Sequence, residues 1–74
     1  MIESKARDFM NEMIGKAVNV VLRNGVAYHG KLKAFDIHTN IVLEDCEEVN
    51  RGKRRKLNVV FIVGRNLEIC LLDE

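Results

Sequence analysis

Two runs near the end of this chain, residues 57–63 and 67–72, are apolar on both sides of an extended strand. Side chains alternate along a strand, so Val59, Phe61 and Val63 fall on one face and Val60 and Ile62 on the other. Likewise Leu67, Ile69 and Leu71 oppose Cys70 and Leu72. A chain of 74 residues buries only about 60% of the surface its unfolded form exposes. It cannot cover both faces of two strands by itself, and bare apolar edges invite aggregation. Pairing one molecule's late strand with a neighbour's resolves the conflict. Repeated head to tail, that contact closes a ring or runs on as a fibre, and a ring is the expectation.

The rest of the chain reads as one helix followed by strands, a mainly β domain over 1–74. Ala6, Phe9, Met10, Met13 and Ile14 share one face at helical spacing, with Lys5, Asp8 and Glu12 opposite. Ser4 serves as N-cap and Gly15 as the residue past the C-terminus, which frames a helix over about 4–14. Strands are expected over about 16–23, 26–36, 40–50, 57–63 and 66–72. Asn24-Gly25 is a type I′ hairpin signal, and Gly30 in mid-strand predicts a bulge or sharp bend. The basic stretch 51–56 is expected as a connecting loop, with Gly52 permitting its turn. No proline interrupts the ladders.

Composition removes several functional classes. Twelve Lys and Arg balance eleven Asp and Glu, so the chain is no globally basic polyanion binder and any nucleic-acid site must be local. The acidic run Glu44, Asp45, Glu47, Glu48 and the basic run Arg51, Lys53, Arg54, Arg55, Lys56 read as solvated segments. Cys46 and Cys70 lack the spacing of a zinc site or a disulfide framework; they read as small buried hydrophobes in a reducing cytoplasm. The polar start, Met1 to Lys5, carries no signal-peptide pattern, and no run is long enough to span a membrane. No nucleophile–base pair, paired carboxylates, metal cluster or cofactor motif stands out. His29 reads as an exposed strand residue. The expectation is a binding protein and not an enzyme.

Two polar turns carry the chemistry that remains. Residues 35–40 (Phe-Asp-Ile-His-Thr-Asn) separate the second and third strands, and residues 62–66 (Ile-Val-Gly-Arg-Asn) separate the last two. Single-stranded RNA is read by stacking splayed bases on flat groups and hydrogen-bonding their edges. His38 offers a ring, and Asn40 offers both the acceptor and the donor that uracil's edge requires. Asp36 can orient its own loop by accepting backbone N–H groups. Gly64 permits close approach of backbone to a base, and Arg65 brings a guanidinium. If the fold joins the turns, they form one nucleobase pocket.

With both turns spaced around a charged segment, the chain resembles the Sm/Lsm family, in particular its archaeal Sm-like members. The likeness runs from the N-terminal helix to Leu72. Its first motif covers residues 15–48, with Asn24-Gly25, Gly30 and Asp36-x-His38-x-Asn40; its second is residues 60–66. The resemblance implies a helix on a five-stranded, strongly bent antiparallel barrel. It also implies a homo-oligomeric ring, usually a heptamer, closed by the fourth and fifth strands of neighbours, with mixed rings of paralogous subunits as a variant. It implies that His38 stacks on a uridine of U-rich single-stranded RNA, that Asn40 hydrogen-bonds it, and that the ring serves as chaperone or scaffold in RNA processing. The chain departs from the family where Arg-Gly-Asp is usual: it has Val63, Gly64 and Arg65. Valine cannot stack as a guanidinium does. Arg65, two residues on, is within reach of the base or of a phosphate; residues 63 and 65 share one side if the strand continues through Gly64. The alternative is a structural or protein-interaction ring whose uridine pocket is weakened or lost, because Val63 and Arg65 stand where the family has Arg and Asp.

Overall fold

The computed structural model describes residues 4–72. Helix α1 (Ser4–Met13) precedes strands β1 (Ala17–Leu22), β2 (Ala27–Phe35), β3 (Ile41–Asn50), β4 (Lys53–Ile62) and β5 (Leu67–Leu72), and a 3₁₀ turn (Gly64–Asn66) separates the last two. The strands form one antiparallel sheet in the order β4-β3-β2-β1-β5. The two doubly apolar strands are thus its two edges. Neither edge is paired among the described residues.

Bulges bend the sheet. Across β2 and β3 the register shifts between His29 and Lys31 and again between Leu32 and Ala34. At the first shift Gly30 is buried against β3, and a Cβ there would collide with the Cys46 Cβ and lie 2.9 Å from the Cys46 Cα. Only glycine lets the two strands approach so closely at the bend. Gly30→Ala is expected to destabilise the protein by about 1–3 kcal/mol through overpacking, read as a lower urea midpoint.

The core is what the alternation dictates. Val18 and Val20 of β1, Leu32 of β2, Ile41, Leu43 and Cys46 of β3, and Ile62 of β4 are buried together. Met10 and Met13 of α1 complete the cluster. The helix ends at Met13, and Gly15 just beyond it has a φ of +82°, the left-handed value that favours glycine there. Gly15 N then donates to Leu32 O at 2.7 Å, and Leu32 N donates to Lys16 O at 3.0 Å. Those bonds tie the helix end to β2. The apolar stripe of α1 is narrower than its sequence implies, because Phe9 and Ile14 are exposed. Phe9 lies about 100° around the helix from the buried Met10, and Ile14 follows the helix's last residue. The expectations for Ala6 and for the Ser4 cap fall on side chains outside the described residues.

Two turns differ from expectation. At Asn24-Gly25 only the glycine has positive φ, +88°, whereas a type I′ turn needs both residues there. Asn24 instead accepts the Val26 N–H on its side-chain oxygen at 3.1 Å, and Leu22 pairs with both Gly25 and Val26. The connection with two positive φ values is Arg51-Gly52, at +51° and +79°. The expected loop 51–56 therefore shrinks to a two-residue turn, and β4 begins at Lys53. Opposite charge explains it. Register sets Glu47 against Lys56 and Glu48 against Arg55, with ion pairs Arg54–Glu47 at 2.7 Å and Arg55–Glu48 at 3.0 Å. Tyr28 donates to the other Glu48 oxygen at 2.7 Å; burial, then the Glu48 bond, push its pKa up to about 12. Such pairs contribute about 0–1 kcal/mol each at a surface. They favour this register over its neighbours and add little to stability.

Candidate nucleic-acid interface

The β3–β4 ladder places the two polar turns side by side. Its register sets Ile41 opposite Ile62, so residues 38–40 meet residues 63–64 although the chain between them is long. The first turn is built by Asp36. Its Oδ1 accepts the His38 N–H at 2.8 Å and the Asn40 N–H at 3.1 Å, and its Oδ2 accepts the Asn40 side-chain amide at 2.9 Å. The Asn40 amide, and after it the two backbone N–H groups, hold the Asp36 carboxyl below the usual carboxylate range. Backbone bonds from Asp36 N to Asn40 O at 3.1 Å and from Thr39 N to Asp36 O at 3.1 Å close the loop. Thr39 occupies the left-handed region at φ +64°.

Asn40 joins the turns. Its Oδ1 accepts the Gly64 N–H at 2.7 Å, while its amide nitrogen is held by Asp36. One amide hydrogen and one oxygen lone pair remain uncommitted. The side chain assigned to a base edge is also the strut between the turns, a role the sequence did not reveal. Gly64 answers to the same contact. A Cβ there would collide with the His38 carbonyl oxygen and lie 2.8 and 2.9 Å from the Thr39 carbonyl carbon and oxygen. Glycine is required here because one turn presses on the other.

His38 stands exposed at the rim, and its imidazole makes no hydrogen bond among the described residues. Val63 is extended, with φ −73° and ψ 126°. The strand does not continue beyond it. Residues 64–66 turn as a 3₁₀ helix, closed by Asn66 N donating to Val63 O at 3.0 Å. A 3₁₀ turn rotates each residue by about 120°, so residues 63 and 65 do not share a side as a continuous strand would require. Arg65 is exposed, and its backbone oxygen accepts the Arg23 Nε–H at 2.8 Å. Arg23, beside the β1–β2 turn, was missed by motif reasoning; only the pairing of β1 with β5 brings it here.

Other sequence candidates lie elsewhere. His29 is exposed on β2, with Nδ1 2.7 Å from the Asn19 Oδ1, above a shallow groove shared with Cys46 and Leu57. Among the described residues no group of three or more His, Cys, Asp or Glu side chains is placed to hold a metal. No helix among them is long and apolar enough to cross a membrane.

The LSM domain family model matches residues 8–71. The U6 snRNA-associated Sm-like protein LSm6 of Chaetomium globosum is 45% identical over 66 residues, covering 88% of this chain and 80% of that protein. Among solved structures, the P. aerophilum SmAP1 heptamer superposes with a TM-score of 0.89 at 30% identity, covering 99% of both chains. The Pyrococcus abyssii Sm protein in complex with a uridine heptamer gives a TM-score of 0.83 at 29% identity, covering 90% of this chain and 96% of that one. The archaeal emphasis of the resemblance thus holds for solved structures, while this curated relative is eukaryotic.

Proposed function

The chain belongs to the LSM domain family, and from that premise we propose that it forms a ring, a heptamer, that binds U-rich single-stranded RNA as a chaperone or scaffold in RNA processing. Each subunit takes one base between residues 36–40 and 63–66. The observation that carries this is the Asn40 strut: a 2.7 Å bond from Gly64 N fuses two distant turns into one preformed edge. His38 stacks on the base. The remaining amide hydrogen and lone pair of Asn40 meet uracil O4 and N3–H, Asp36 holds Asn40 in place, and Gly64 lets the turns close. Arg65 supplies cationic character that Val63 does not. A stacked base contributes about 1–3 kcal/mol, so one pocket is weak and the repeated pockets of a ring bind through avidity.

Support for the ring comes from the sheet order. Its edges are β4 and β5, and Val59 and Phe61 of β4, with Val63 just past its end, are exposed, so a head-to-tail contact covers both edges at once. The solved SmAP1 relative is a heptamer, and another Sm relative was solved with a uridine heptamer. The free thiols of Cys46 and Cys70 suit a reducing cytoplasm. Identical subunits suffice; incorporation of paralogous Sm-like subunits would register as additional masses in native mass spectrometry. A second function, an interaction ring without a uridine pocket, is favoured by Val63, which leaves one side of the base without a flat partner.

Fluorescence anisotropy with labelled U-, A- and C-rich oligomers separates the two. Preferential U binding that persists at raised salt supports the pocket, and His38→Ala should then weaken it at least about tenfold with the ring intact. Base-blind binding that disappears with salt would leave the interaction ring.

A further inference from the structure

Arg23 lies outside both polar turns, yet the fold fastens it to the second turn twice. Its backbone N–H donates to Asn66 O at 2.8 Å, and its side-chain Nε–H donates to Arg65 O at 2.8 Å. The second bond links residues 42 positions apart in the chain. With Nε committed to a backbone oxygen, the guanidinium is held in one orientation and both terminal nitrogens remain as donors. Arg65, whose backbone oxygen accepts that bond, carries a second guanidinium, and both side chains are exposed. Neither makes an ion pair among the described residues. The contrast with β4 is informative. There Arg54 and Arg55 are matched to Glu47 and Glu48, whereas here the Arg23 side chain is bound to the backbone of a second arginine and neither has an acidic partner among the described residues.

Two guanidinium groups without acidic partners, one of them braced by the backbone of the other, fit a tetrahedral dianion or a phosphodiester better than a base edge. Arginine forks match phosphate oxygens bidentately. We propose that Arg23 and Arg65 form a phosphate clamp beside the base pocket, gripping the backbone of the strand whose base meets His38 and Asn40. The inference deepens the proposed RNA site and rests on it for the identity of the ligand. The clamp reads no sequence; it adds affinity and sets the strand's path. It also explains how the site tolerates Val63: the cation lost from the stacking position is replaced by two that act on the backbone.

Heptauridine and heptacytidine, titrated by anisotropy across a series of salt concentrations, test this. Arg23→Gln should weaken both oligomers equally and reduce the slope of log affinity against log salt by about 0.7 for each clamp the strand engages. Arg23→Lys, which keeps the charge, should restore most of that slope. His38→Ala should do the opposite, lowering the U-to-C ratio and leaving the slope in place. An unchanged slope with Arg23→Gln would overturn the clamp. So would a fall in the U-to-C ratio with both Arg23 variants at constant slope, since that pattern means Arg23 only braces the turn. Base-blind binding by the unmodified protein, still flattened by Arg23→Gln, would sink the pocket and keep the clamp. No binding of either oligomer would remove both.

Discussion

Gly64→Ala is expected to separate the two turns and abolish U-selective binding. The added methyl would meet the His38 carbonyl oxygen and the Thr39 carbonyl group, with the Thr39 atoms at 2.8 and 2.9 Å. All of these atoms belong to backbone, so no rotamer change relieves the contact. Gly64 does not have positive φ; alanine meets no torsional penalty there, and the whole effect is steric. Relief requires the turns to move apart, which breaks the bond from Gly64 N to Asn40 Oδ1. Overpacking costs about 1–3 kcal/mol and the lost hydrogen bond about 1 kcal/mol more. A melting point lower by roughly 10 °C is the expected reading, together with loss of the U-to-C preference. Asn40→Ala should lose the same preference at a smaller cost in stability, because it removes the strut without forcing the turns apart. A Gly64→Ala protein that melts normally and still prefers uridine would show that contact between the turns is dispensable.

The strands were legible because alternation survives in Val18–Val20 and in Ile41–Leu43, where one face is buried and the other is not. Gly30 was legible as a bulge because nothing else justifies a glycine in that strand, and the register shift falls there. The charged segment misled for a physical reason. Read along the chain, residues 51–56 are a run of like charge; read across the sheet, residues 53–56 lie opposite residues 47–50, among them Glu47 and Glu48. Linear charge patterning carries no information about cross-strand partners. Within the candidate site, residue types were enough to mark His38, Asn40, Asp36, Gly64 and Arg65. They did not reveal that the Asn40 amide is largely committed within the protein, nor that the chain turns after Val63 instead of continuing. Arg23 was invisible because its place depends on β5 returning to pair with β1, a long-range event with no local signal.

Phe61→Asp is expected to convert the ring into monomers, and Phe9→Asp to leave it whole. The two phenylalanines are almost equally exposed in the isolated subunit, 61% and 59%, so hydrophobicity alone does not distinguish them. Position does. Phe61 lies on β4, at one edge of the sheet, with Val59 on the same side and Val63 just past the strand's end; Phe9 lies on α1, outside the sheet. Covering the exposed part of Phe61 removes on the order of 100 Å² of apolar surface from water, about 2–3 kcal/mol per interface. An aspartate at the same place adds the cost of desolvating a carboxylate. A loss of about 3 kcal/mol weakens each contact roughly 150-fold, and a ring must make every contact to close. Light scattering after gel filtration reads the mass directly, and circular dichroism should show an intact sheet, because Phe61 lies outside the buried core. The monomer should also bind heptauridine far more weakly than the ring does, since single pockets lack avidity. A Phe61→Asp protein of full ring mass would rule out β4 as the contact, and ring loss with Phe9→Asp would move the interface to the helix.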